Sequence, residues 1–113
     1  MPLKKIADHI AFRDDKLGKV NLFETPRFFC DLYCLKSGQS QHPHTHGAED
    51  KIYQVISGRV IFADGELEIA GEPGDLVHCP AGALHGVRND SEEDAVLLVF
   101  MAPHPGANRF PAS

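Results

Sequence analysis

Apolar residues recur along this chain in short bursts, each closed by glycine, proline or an acidic turn. The bursts fall at 20–23, 27–35, 51–57, 60–63, 66–70, 75–79, 85–88 and 95–101 and are rich in β-branched and aromatic residues. That composition predicts strands, with Pro26 separating the first two. Asp64-Gly65 lies between two apolar runs and predicts a hairpin, because both central residues of such a turn must tolerate positive φ. Breaks at Gly58 and across 71–74 mark further reversals. Short strands at this spacing define an all-β fold, either a sandwich or a barrel. Ahead of them, residues 1–18 mix Leu3, Ile6, Ile10 and Phe12 with charges, which suits either a short helix or a loosely attached arm. The proline-rich tail is expected to lie over the surface. The resulting division is 1–26 for the arm and first strand, 27–101 for the barrel and 102–113 for the tail.

At 113 residues the chain is long enough to bury one core without staples. A net charge of −5 with no long basic run argues against nucleic acid and favours a small-molecule ligand or substrate. No apolar run approaches the length of a membrane helix, and the opening MPLKKIADHI lacks the apolar centre of a secretion signal, so a cytoplasmic protein is expected. Cys30, Cys34 and Cys79 are odd in number and form no CxxC pair, as reduced, buried thiols would.

Two stretches carry the candidate chemistry. In GQSQHPHTHGAEDKIYQVISG, His42, His44 and His46 alternate, and alternate side chains of an extended segment share a face, which makes the run a candidate metal site. In GDLVHCPAGALHGVRN, His85 follows a proline and glycine turn. An isolated run of this kind also suits an exposed loop, His42 suits either a supporting role or the surface, and His78 reads as a wall histidine. Tyr53, Gln54 and Phe62 suit a cavity wall or an interface, and Asn89 suits a turn.

These residues resemble the two motifs of the cupin family. Gly38, His44, His46 and Gly58 fall in the register of the first motif, with Lys51 where glutamate is usual, and Gly74, Pro80, Gly82, His85 and Asn89 match the second without a gap. The resemblance runs from about Arg27 to Met101. It implies a cupin barrel (double-stranded β-helix, or jelly roll) whose interior holds a divalent metal on His44, His46 and His85. Imidazole ligands do not choose among iron, manganese, zinc and nickel. Three accounts of the missing glutamate stand open. Asp50 or Glu49 supplies the carboxylate; or the histidine pair is His42 and His44, with Glu49 at an allowed spacing; or the metal sits on three neutral imidazoles, as in some cupin-type dioxygenases.

Lys51 shares strand parity with Tyr53 and Val55, and the matching family position points inward. An ammonium about 5 Å from a divalent ion, at an effective dielectric near 20, is repelled by about 6 to 7 kcal/mol. Lys51 therefore reaches solvent, pairs with Glu49 or Asp50, loses its proton, meets a bound anion, or has no metal beside it. The function this suggests is a three-histidine metal-dependent oxygenase. A non-catalytic ligand-binding or sensor cupin, and a metal-dependent isomerase or lyase on a sugar or keto-acid, are the alternatives; no catalytic residue is singled out. The apolar stretches 28–35 and 95–101 are read as sheet edges for a homodimer.

Overall fold

In a computed structural model, residues 1–45 and 47–107 are described. Among them, nine strands follow a short 3-10 turn, Ile6–Asp8. They are β1 (Gly18–Thr25), β2 (Phe28–Leu35), β3 (Ser40–His44), β4 (Asp50–Ser57), β5 (Val60–Ala63), β6 (Glu68–Gly71), β7 (Leu76–Cys79), β8 (His85–Arg88) and β9 (Ala95–Ala102). The ladders between them are antiparallel and form two sheets, ordered β1-β2-β9-β4-β7 and β3-β8-β5-β6.

Strand alternation explains why one sheet serves two cores. Tyr33 and Leu35 of β2, Tyr53 and Val55 of β4, and Ala95, Leu97 and Val99 of β9 face the second sheet, where they meet Val60, Phe62 and Val87. The intervening Leu32, Cys34 and Val96 face the other way, against Leu22 and the arm residues Ile6 and Phe12. The arm is thus packed down rather than loosely attached. The near-continuous apolar runs of β2 and β9 are the mark of strands covered on both faces. They therefore lie inside the sheet, with β1 and β7 at its edges, which corrects their reading as edges.

Two further corrections have local causes. The strand expected at 66–70 begins at Glu68, because the Asp64 carboxylate accepts from the amides of Glu66 (2.9 Å) and Leu67 (2.8 Å) and holds both in the loop. The start of the tail does not simply lie over the surface. His104 is buried, donates through Nε2 to Glu24 Oε2 at 2.9 Å, and accepts at Nδ1 from the Gly106 amide at 2.9 Å. The turn at Gly58 carries the chain from β4 to β5 of the opposite sheet; its φ is +77°, and a Cβ there would stand 2.3 Å from the Asp94 carbonyl oxygen.

Candidate functional site

His44 and His85 come from the two separate histidine stretches, and the structure makes them cross-strand partners on β3 and β8. Their ring centres are 4.6 Å apart, tilted by 57°. Each ring has its Nδ1 against a backbone carbonyl: His44 on His42 O at 2.9 Å, His85 on Ala83 O at 3.1 Å. A carbonyl oxygen only accepts, so Nδ1 carries the proton and the neutral ring keeps its lone pair on Nε2. The Nε2 atom of His85 is shut off from solvent.

The pairing depends on a bulge. Gln41 pairs with Val87 and His44 with His85, so β3 spends one residue more than β8 over the same interval. Gly86 makes room for it: a Cβ there would stand 2.8 Å from both Gln41 O and Pro43 N. The extra residue reverses the alternation, and Gln41 now faces inward together with His44, lining the same cavity, while His42 is exposed. The expectation that His42, His44 and His46 share one face fails for His42, and with it the His42–His44 ligand pair. His46 lies outside the described residues.

Lys51 lies on the face it shares with Tyr53 and Val55 and is 1 % exposed, so of the outcomes open to it, reaching solvent is removed. Its Nζ donates to Tyr33 Oη and to Gln41 Oε1, each at 3.2 Å, and lies 5.1 and 4.9 Å from the ring centres of Tyr33 and Tyr53. Tyr53 Oη donates to the same Gln41 oxygen at 2.8 Å. Burial, and secondarily the charge of Lys19, pulls Lys51 down to about 8, while burial pushes Tyr33 up to about 12 and raises Tyr53 as well. Neither solvent nor a neighbouring carboxylate takes the Lys51 charge: Asp50 faces outward and accepts from His78 Nε2 and the Ala81 amide, both at 3.2 Å, and Glu49 accepts from the Ala48 amide. Asp50 is thereby removed as a substitute for the missing glutamate.

A cavity of about 400 Å³ opens beside this cluster, lined by Lys19, Phe29, Tyr33, Gln41, His44, Lys51, Met101 and Pro105. A smaller recess of about 180 Å³ lies on the far side of His85, with Phe62, Leu67, Ile69, Val77 and Leu84 on its walls. The histidine pair stands between a polar and an apolar chamber. Phe62 and His78 line the apolar one, as wall residues do. Sequence reading did not single out Tyr33, Gln41 or Lys19. The parity of β2, which points Tyr33 inward with Leu35, was the available signal; the bulge left none for Gln41.

Among the described residues no three histidine, cysteine, aspartate or glutamate side chains converge as a metal group. The two imidazoles nonetheless suit an ion, being adjacent and each holding Nδ1 against a backbone carbonyl, the arrangement in which a ring would coordinate through Nε2. The carboxylate usual at the fourth position is replaced by a buried cation.

Two facing antiparallel sheets closed around a histidine pair define a small double-stranded β-helix barrel. The chain belongs to the cupin family, whose domain profile matches residues 31–101. It is 32 % identical over 112 residues to an uncharacterised protein of Aquifex aeolicus, covering 92 % of this chain and 87 % of that one. An oxalate-binding protein of Thermotoga maritima is 26 % identical over 85 residues, 75 % of this chain and 69 % of its own. The crystal structure of the TT1209 protein from Thermus thermophilus superposes with a TM-score of 0.88 at 40 % identity, covering 91 % of this chain and 98 % of that one. No helix among the described residues is long and apolar enough to cross a membrane.

Proposed function

We propose that this cupin binds a small molecule in the cavity beside His44, and that His44, His46 and His85 hold a divalent metal there without a carboxylate ligand. The observation that carries the reading is the 4.6 Å approach of His44 and His85, with both Nδ1 atoms committed to backbone carbonyls. A bound divalent ion supplies a Lewis acid and open coordination positions for a substrate oxygen or dioxygen, which is the chemistry of a three-histidine oxygenase. The chain's own contribution is positional. His44 and His85 would present Nε2, Phe62 and Val77 supply an apolar wall beside His85, and the Lys51 cluster sets the charge a ligand meets.

A binding role without turnover is the second reading, favoured by the likeness to a relative described as oxalate-binding. Oxygen uptake decides between them. An oxygenase loaded with iron(II) consumes oxygen in the presence of a diketone or thiol substrate, whereas a binding protein shows ligand-dependent melting shifts and no uptake.

The same reading places the protein in the cytoplasm, supported by free thiols at Cys30, Cys34 and Cys79. It also makes the protein a homodimer through a sheet face. Phe100 stacks on Phe28 at 5.4 Å and pairs across the ladder with Ile52, and Phe100 and Ile52 are each 40 % exposed on the face opposite the cavity.

A further inference from the structure

We propose that Lys51, Tyr33 and Lys19 form a carboxylate-binding subsite in the cavity beside His44, so that the ligand of this protein is a small organic acid. This rests on the small-molecule reading of the same cavity and names the chemistry of what enters it. Lys51 is the floor and Lys19, which is exposed, the rim; their ammonium nitrogens lie 5.1 and 5.2 Å from the centre of one ring, Tyr33. Among the described residues no carboxylate lines the cavity and none lies within ion-pair distance of either lysine. The acid whose charge bears on both is Asp31, whose carboxylate already accepts from Asn21 Nδ2 at 2.8 Å. In a chain of net charge −5, this is a local concentration of positive charge.

The donors are left over on the inside. An ammonium has three protons, and Lys51 uses two, on Tyr33 Oη and Gln41 Oε1. Tyr33 Oη receives from both Lys51 and Gln41 Nε2, and its own proton meets no acceptor among the described residues. A buried cation with a spare donor, beside a buried hydroxyl with another, is costly unless an anionic acceptor joins them. Two such donors, with Lys19 at the rim, match the two oxygens of a carboxylate. Phosphate is a poorer match, since among the described residues the lining has no guanidinium and no helix start. Phe29, Met101 and Pro105 complete the wall and suit a short organic remainder.

The test is calorimetric titration of the protein as purified with acetate, pyruvate, oxalate and malonate, with acetamide and inorganic phosphate as controls. At least one carboxylate should bind saturably at one site per chain, acetamide should not, and phosphate should bind more weakly. Lys51→Met should weaken that binding by at least about tenfold, the loss expected for a hydrogen bond to a charged group, and Tyr33→Phe by less. Lys19→Met should weaken it mainly at low salt. A readout that needs no variant is carbon NMR of the lysine side chains: the bound carboxylate should raise the Lys51 pKa. Failure of every carboxylate to saturate, equal binding by Lys51→Met, or an unmoved Lys51 titration would each overturn the proposal. Metal content measured on the same samples keeps the two readings apart. Metal with no Lys51-dependent carboxylate binding sinks this subsite alone, and Lys51-dependent binding by metal-free protein sinks the metal reading alone.

Discussion

His44 and His85 are direct cross-strand partners, and the bulge in β3 that makes them so also turns Gln41 inward onto Lys51. One irregularity therefore builds both halves of the candidate site, the imidazole pair and the lysine cluster.

Replacing His44 or His85 with alanine should remove stoichiometric metal from gently purified protein; the half-buried His44 should be lost with little change in stability, whereas the buried His85 should cost more. Elemental analysis alongside a melting curve checks it. Full occupancy in both variants would refute the ligand assignment. Metal should also leave on acidification, because imidazole must be neutral to bind. Lys51→Glu should tighten metal binding by returning a carboxylate to the cluster.

Gly86→Ala should disturb the site without touching a ligand. The added methyl would collide with Gln41 O and Pro43 N at 2.8 Å, both of them backbone atoms, so β3 must shift away from β8. The expected result is destabilisation of about 1 to 3 kcal/mol in urea together with weaker metal and ligand binding. Unchanged binding would mean the bulge does not set the histidine separation.

Lys51 makes stability depend on pH in a definite direction. Its folded pKa is about 8 against an ordinary 10.5, so between these values the unfolded chain holds a proton that the folded chain has released, and stability rises with pH. Below about 8 both states are protonated and the whole penalty, roughly 3 kcal/mol, is in force. The thiols of half-buried Cys30 and buried Cys34 and Cys79, raised from 9.0, work the other way at higher pH, as does Tyr33, while Lys19 and Asp31 act on Lys51 directly. A comparison with Lys51→Met isolates the lysine. From pH 7 to 9 the wild type should gain on the variant, and a constant difference between the two would contradict a buried ammonium.

The turn glycines should separate by what surrounds them. Gly58→Ala places a methyl against Asp94 O and Ala95 Cα at a positive φ, and should cost about 2 kcal/mol or more. Gly74→Ala meets nothing within 4 Å and carries only the backbone strain of its φ of +94°, about 1 to 2 kcal/mol. Equal losses in chemical denaturation would show that the crowding at Gly58 is relieved by movement of the loop before β9.

Asn89 illustrates a role that sequence and structure describe alike. A residue suited to a turn is fully buried, and its side-chain amide donates to Leu35 O at 3.0 Å and Glu93 O at 2.7 Å while its oxygen accepts from Ser91. That clamp ties the end of β8 to the end of β2 and holds the second histidine stretch in place.

The identity of every strand but β3, the face that Lys51 shares with Tyr53 and Val55, and the closing role of Asn89 are matters of local pattern: alternation and turn chemistry act over a few residues, and they are written in the chain itself. Which strands lie inside the sheet, which histidine leaves the common face, and which side chains receive the lysine ammonium were decided only by tertiary structure. Each depends on the register between segments far apart in sequence. The single extra residue between Gln41 and His44 is invisible to an alternating pattern because it exists only relative to β8, the strand it is paired against.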